Sequence, residues 1–107
     1  MEQLRPAELS RWLAEPGPHR PLVLDVREPW EYEIVRLPDS TLIPMREIPA
    51  RLDELEKGRP VVCLCHHGVR SMQVAWFLAS RGYGPIFNLA GGIDAWAREV
   101  DPHCPTY

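Results

Sequence analysis

Two short, almost unbroken apolar runs constrain this chain more than any other feature: Leu22-Val23-Leu24-Asp25-Val26 and Pro60-Val61-Val62-Cys63-Leu64-Cys65. Successive side chains of a strand point to opposite faces. A run that is apolar at nearly every position therefore reads as a strand covered on both sides, as in parallel sheets flanked by helices. Thr41-Leu42-Ile43-Pro44 and Ile86-Phe87-Asn88-Leu89 are shorter strand candidates, with a further stub near Gln3-Leu4. Between them lie helical patterns. Pro6 to Glu15 starts with proline in the first turn, where the missing donor costs nothing, and places Leu9, Trp12 and Leu13 on one face. Glu47 to Glu56 carries Ile48, Leu52 and Leu55 at helical spacing, with Pro49 in the first turn. Ser71 to Arg81 opens with Ser71 as an expected cap and stops before Gly82. Ile93 to Val100 reads as a shorter last helix, and Trp12, Trp30, Trp76 and Trp96 read as packing residues. Strands alternating with helices, without a two-residue hairpin signal, predict an α/β fold with a mainly parallel sheet. Loops are expected at Pro16-Gly17-Pro18, Pro38-Asp39-Ser40 and Gly82-Tyr83-Gly84-Pro85.

The 107 residues suit one domain, residues 1–107. With 45% hydrophobic and 25% charged residues the composition is that of an ordinary soluble globule. A formal charge of −3 argues against nucleic acid as a partner. No apolar stretch approaches the ~18 residues needed to span a bilayer, so no membrane partner is expected. Met1-Glu2-Gln3-Leu4-Arg5-Pro6 lacks the basic and then apolar pattern of a signal peptide. The cytoplasm is the expected compartment, and there Cys63, Cys65 and Cys104 would be thiols.

The stretch that carries chemistry is Val61 to Met72. A buried strand ends at Cys65, a loop containing Gly68 follows, and a helix begins near Ser71. Ligands of open parallel sheets bind at the carboxyl ends of strands. Helix N-termini present free backbone donors and the positive end of the macrodipole. A thiolate or bound anion is stabilised there, and Arg70 adds a permanent charge able to grip a sulfate-like oxyanion in two places. These features favour Cys65 as a thiolate nucleophile that needs no separate base. Cys63 reads as a small buried hydrophobe.

A zinc cluster drawn from Cys63, Cys65, His66, His67, His103 and Cys104 is the alternative. Cys63 and Cys65 would lie about 6.6 Å apart along an extended strand, farther than the roughly 3.8 Å between thiolates on one tetrahedral zinc. The same parallel projection disfavours a disulfide between them. Neither a metal nor an organic cofactor is therefore expected. His66 and His67 read either as loop residues that shape the pocket and tune its charge or as solvated side chains.

Three motifs in order resemble those of rhodanese-like domains, and the resemblance covers nearly the whole chain. Leu24-Asp25-Val26-Arg27-Glu28-Pro29-Trp30-Glu31-Tyr32 resembles the family's N-terminal motif. Cys65-His66-His67-Gly68-Val69-Arg70-Ser71 resembles its active-site loop, and Asn88-Leu89-Ala90-Gly91-Gly92-Ile93-Asp94-Ala95-Trp96 its C-terminal signature. The resemblance implies a rhodanese-like fold: five strands, mostly parallel, with helices on both faces. It also implies a sulfurtransferase in which Cys65 takes a sulfane sulfur from a small anion such as thiosulfate. A thiol or sulfur-carrier protein would then accept that sulfur from the persulfide. The backbone of His66, His67, Gly68, Val69, Arg70 and Ser71 would cradle the sulfur, with Arg70 at the anionic donor, while Asp25 and Arg27 support the strand end. Cysteine phosphatases, some on this same fold, have five residues between cysteine and arginine; here there are four, His66 to Val69. That favours sulfur transfer over a phosphatase or arsenate reductase. A non-catalytic rhodanese module that binds a partner is the remaining alternative. The tail from Val100 to Tyr107 also resembles the ends of rhodanese-like domains, some of them fused to enzymes that activate sulfur-carrier proteins. One departure is local: Val35-Arg36-Leu37 and Asp39-Ser40 stand where many members have Gly-His-Ile and a Gly-Ala pair.

Overall fold

A computed structural model describes residues 1–15 and 17–107. The expected loop at Pro16-Gly17-Pro18 therefore lies partly outside the described residues. The two apolar runs become adjacent strands of one five-stranded sheet. In chain order the elements are β1 (Glu2–Leu4), α1 (Pro6–Ala14), β2 (Leu22–Asp25), α2 (Pro29–Ile34), β3 (Thr41–Leu42), β4 (Val61–Leu64), α3 (Val69–Ser80), β5 (Ile86–Leu89) and α4 (Gly92–Glu99). The strand order is β1-β5-β4-β2-β3, and every ladder is parallel. The single α/β domain is thus the expected one, with a sheet that is wholly rather than mostly parallel.

β4 occupies the centre, paired from Val61 through Leu64 with β2 and from Val61 through Cys63 with β5. Its alternating side chains divide the core. Val61, Cys63 and Cys65 join Leu24, Val26, Ile43, Ile48, Val74 and Leu78 on the α3 side. Val62 and Leu64 join Leu9, Val23, Leu37, Leu89 and Ile93 on the α1 and α4 side. This two-sided burial is why the run carries no polar residue. Each such side chain contributes roughly 1.5–3 kcal/mol by leaving water.

The local structure departs from expectation at four places. The segment expected as a helix from Glu47 to Glu56 forms two 3₁₀ turns, Met45–Glu47 and Pro49–Glu54, with Arg51 out of helical conformation at φ −119°. The break falls at Arg51, two residues past Pro49, so the apolar spacing is kept while no single α-helical ladder runs through the segment. The six residues of α2 were not expected as a helix. Pro29 supplies its first turn, and the Glu31 carboxylate accepts the Glu28 N–H (2.9 Å) as the return half of a capping box. The third concerns α3, which starts two residues early with Gly68 as its cap. Ser71 is an interior, fully buried residue instead. Gly82 does end that helix: its own N–H and that of Tyr83 return to Ala79 and Leu78 in a Schellman closure. Trp12 packs edge-on against Phe87 and Trp96 lines the core. Trp30 and Trp76, by contrast, are 61% and 58% exposed. Among the described residues, no helix is long and apolar enough to cross a membrane.

Candidate active site

Cys65 follows the last residue of β4, at the carboxyl edge of the sheet, and is 1% exposed. Its carbonyl accepts the Ile93 N–H (2.9 Å), and the His66 carbonyl accepts that of Asp94 (3.1 Å), so the start of α4 holds the loop from beneath. Gly92, at φ +64°, makes this approach possible: a Cβ there would overlap the carbonyl groups of Cys65 and His66.

The Cys65 Sγ accepts the Gly68 N–H at 3.0 Å and faces the Ser71 hydroxyl at 3.2 Å. The same hydroxyl lies 2.5 Å from the Asn88 Oδ1. One hydroxyl hydrogen serves one acceptor at a time. Ser71 can therefore donate to a thiolate, or donate to Asn88 while accepting from a thiol. The buried Asn88 in turn donates to the Gly68 carbonyl (3.0 Å) and to Gln3 (3.1 Å). Among the described residues, the N–H groups of Val69, Arg70 and Ser71 have no backbone acceptor, as a first helical turn dictates. Two residues upstream, Cys63 is fully buried, and burial together with the neighbouring Cys65 pushes its thiol up to about 12.

Arg70 spends both terminal nitrogens on Glu31, with Nη1 to Oε1 at 2.7 Å and Nη2 to Oε2 at 2.9 Å. Glu31 is 3% exposed. Burial alone would raise its carboxyl, but Arg70, the Glu28 N–H and the Tyr107 hydroxyl outweigh burial and hold it at about 2. A second ion pair lies behind the first. Arg27 and Asp25, both fully buried, pair with Nε at 2.9 Å from Oδ1 and Nη2 at 2.7 Å from Oδ2. Arg27 also donates to the Val35 carbonyl (2.6 Å) and the Tyr107 hydroxyl (2.9 Å). The Tyr107 hydroxyl donates onward to the Glu31 Oε2 at 2.7 Å, and burial plus that carboxylate push the phenol up to about 12.

His66 is sandwiched. The Tyr107 ring stacks on one side (3.9 Å, 10° between planes) and the His67 ring on the other (3.9 Å, 29°). Burial and the neighbouring His67 lower the His66 pKa, and its Nε2 is buried without a partner. Among the described residues, His66, His67 and Asp94 are the group whose donor atoms come within 4.8 Å of one another. Imidazole lone pairs lie in the ring plane, so stacked rings present them side by side rather than toward one ion. Asp94 is also paired with Arg98 at 3.2 Å. Cys104 sits apart on the α1–α4 side of the core, its thiol pushed up by burial.

The structure thus brings Cys65 and Gly68 of the loop together with Arg70 and Ser71 of the first turn of α3, with Asp25 and Arg27 beneath its flank. Sequence reasoning assigned no role to Glu31, Asn88 or Tyr107, although all three lie in or beside the motifs it used. The capping signal Glu28-Pro29-Trp30-Glu31 was the one local hint of Glu31's position.

Residues 5–99 match the model of the rhodanese-like domain family. A protein from Allochromatium vinosum named sulfurtransferase is 46% identical over 81 residues, covering 76% of each chain. Thiosulfate sulfurtransferase GlpE of Pseudomonas syringae is 30% identical, over 85% of this chain and 83% of its own. In several longer relatives the chain spans only 22–30% of the length. Among solved structures, a rhodanese-like domain protein from Staphylococcus aureus superposes with a TM-score of 0.85 at 31% identity, over 100% of this chain and 99% of that one. In sequence and in fold alike, this chain belongs to the rhodanese-like family.

Proposed function

We propose that the protein is a sulfurtransferase that carries sulfane sulfur as a persulfide on Cys65. One observation carries the reading: the Gly68 amide and the Ser71 hydroxyl converge on Sγ at 3.0 and 3.2 Å, where α3 begins. In the first half-reaction the Cys65 thiolate attacks the outer sulfur of a donor such as thiosulfate. The donor's S–S bond breaks, sulfite leaves with the bonding pair, and Cys65 holds the outer sulfur. In the second, a thiophilic acceptor takes that sulfur and the thiolate returns. Cyanide would serve in an assay, a thiol or sulfur-carrier protein in the cell. The backbone of His66, His67, Gly68, Val69, Arg70 and Ser71 surrounds the position of the outer sulfur. Electron pairs move only between sulfur atoms and the acceptor, so neither step calls on a metal or an organic cofactor. The chemistry needs a reduced thiol, and the cytoplasm is the compartment we assign.

The loop has four residues between Cys65 and Arg70, which supports sulfur over a phosphate ester or arsenate as the group handled. A partner-binding role without catalysis is the second reading. It is favoured by Val69 and Trp30, each 61% exposed, one at the start of α3 and one beside Glu31 on α2.

Intact mass tests the proposal. The protein is incubated with thiosulfate and, separately, with an organic persulfide, beside a Cys65→Ala control. The expected result is a gain of one sulfur atom that cyanide removes and the control lacks. If no sulfane donor leaves an adduct, catalysis through Cys65 is wrong and the partner-binding reading stands.

A further inference from the structure

The one cation on the loop is not free. Arg70 is held in a two-pronged pair by Glu31, itself buried on α2 and fixed by the Glu28 amide (2.9 Å) and the Tyr107 hydroxyl (2.7 Å). Such a fork-on-fork pair is the strongest geometry available to a guanidinium. Arg27 and Asp25 repeat the arrangement one layer down. Two guanidiniums and two carboxylates cancel beside Cys65. On the far side of the loop Asp94 is itself paired with Arg98, and the lowered pKa of His66 keeps that ring uncharged. The positive potential left for an incoming donor is that of the first-turn amides of α3.

Thiosulfate brings two negative charges to a thiolate, and its approach needs a counter-charge that this loop has already spent. A protonated organic persulfide, RS–SH, brings none. Resting on the persulfide reading of Cys65, we propose that Glu31 determines donor specificity: by neutralising Arg70 it disfavours dianionic sulfane donors and leaves neutral organic persulfides as the preferred sulfur source. With RS–SH the Cys65 thiolate attacks the outer sulfur and the donor's S–S bond breaks. RS⁻ departs with the electron pair, and the transferred sulfur keeps its proton as Cys65–S–SH. Charge and atoms balance, and no oxidant or reductant is consumed.

The test reads charge at the thiol without requiring sulfur transfer. Cys65 is alkylated with iodoacetate and with neutral iodoacetamide, and the rates are followed by intact mass. In the wild type the iodoacetate rate is expected to be flat or to rise with added salt. A free cation would make it fall steeply as screening sets in. Glu31→Gln keeps the side chain's size and an oxygen for Arg70 and Tyr107 but removes the charge. It is expected to raise the iodoacetate-to-iodoacetamide ratio about tenfold at low salt, the order of effect of one unscreened charge a few ångströms away. The thiosulfate kcat/KM should rise by a similar factor, while that for the persulfide of an uncharged alkyl thiol changes less than about twofold. An unchanged ratio in a folded Glu31→Gln protein overturns the proposal. A wild-type iodoacetate rate that falls steeply with salt does the same and needs no variant. Absence of any sulfur adduct would instead remove the sulfurtransferase reading, while the alkylation ratio still reported on Arg70.

Discussion

Gly92 and Gly58 both adopt positive φ, at +64° and +90°, yet their surroundings differ completely. A Cβ on Gly58 meets nothing within 4 Å, whereas on Gly92 it overlaps the carbonyls of Cys65 and His66. The pair separates two costs that usually arrive together. Gly58→Ala carries only the left-handed backbone penalty, roughly 1–2 kcal/mol. Gly92→Ala adds displacement of the start of α4 and loss of the Ile93 and Asp94 amide bonds to the loop. At about 1 kcal/mol for each bond, the total reaches about 4 kcal/mol. For a domain of this size 1 kcal/mol moves Tm by about 4–5 °C. Gly58→Ala should therefore melt about 4–10 °C below wild type and Gly92→Ala about 15–20 °C below. Scanning calorimetry of the three proteins under one buffer decides it. If the two variants melt within about 3 °C of each other, the loop does not depend on the close approach of α4, and the account of how Cys65 is positioned fails.

Three further outcomes follow from the same contacts. Ser71→Ala removes the hydroxyl shared by Cys65 and Asn88. It should slow iodoacetamide alkylation of Cys65 roughly tenfold, while Ser71→Thr retains most of the rate; equal rates for both would refute the role. Glu31 ionises at about 2 when folded, below the ordinary carboxylate value of 4.5. Its stabilisation is therefore complete above about pH 4.5 and is lost as pH falls toward 2, up to roughly 3 kcal/mol in all. Urea titrations at pH 6 and pH 3 should show a wild-type loss that Glu31→Gln reduces, and parallel losses would count against the ion pair. Arg27→Met leaves Asp25 charged and buried, at a cost of about 3–5 kcal/mol in urea unfolding. The Asp25→Leu, Arg27→Met double variant should recover much of this, and additive losses would show that the two do not act as a pair.

The sheet was legible because burial on both faces leaves a compositional mark: Leu22–Val26 and Pro60–Cys65 are apolar for a reason that needs no knowledge of the rest of the chain. Cys65 was legible for a related reason, since a cysteine at the end of such a run falls where strand meets helix. What was not legible is made of contacts between distant positions. Glu31 lies 39 residues from Arg70, and Tyr107 lies 76 residues from Glu31. Nothing local to either end announces the pair. Serine favours the cap position, but Gly68 takes the cap of α3 and tertiary packing turns the Ser71 hydroxyl inward to Cys65 and Asn88. The Glu47–Glu56 segment kept its apolar contacts through Ile48, Leu52 and Leu55. It lost its α-helical form because periodicity reports which side chains are buried, not which hydrogen-bond ladder joins them.

The strand order also governs when the fold can form. β1 has no sheet neighbour except β5, more than eighty positions later, and β2 has only the two-residue β3 until β4 exists. A ribosome that has released the first half of the chain has therefore exposed β1 without a partner and the apolar β2 with almost nothing to pair. The sheet condenses only when the segment bearing Cys65 emerges to pair β2 and β5 follows it to link β1. Folding dominated by such long-range pairings is slow relative to helical domains of equal size, and the waiting strands are exposed to association with other chains. The central strand that leads to the nucleophile is thus also the segment whose synthesis begins to close that vulnerable interval, which β5 then ends.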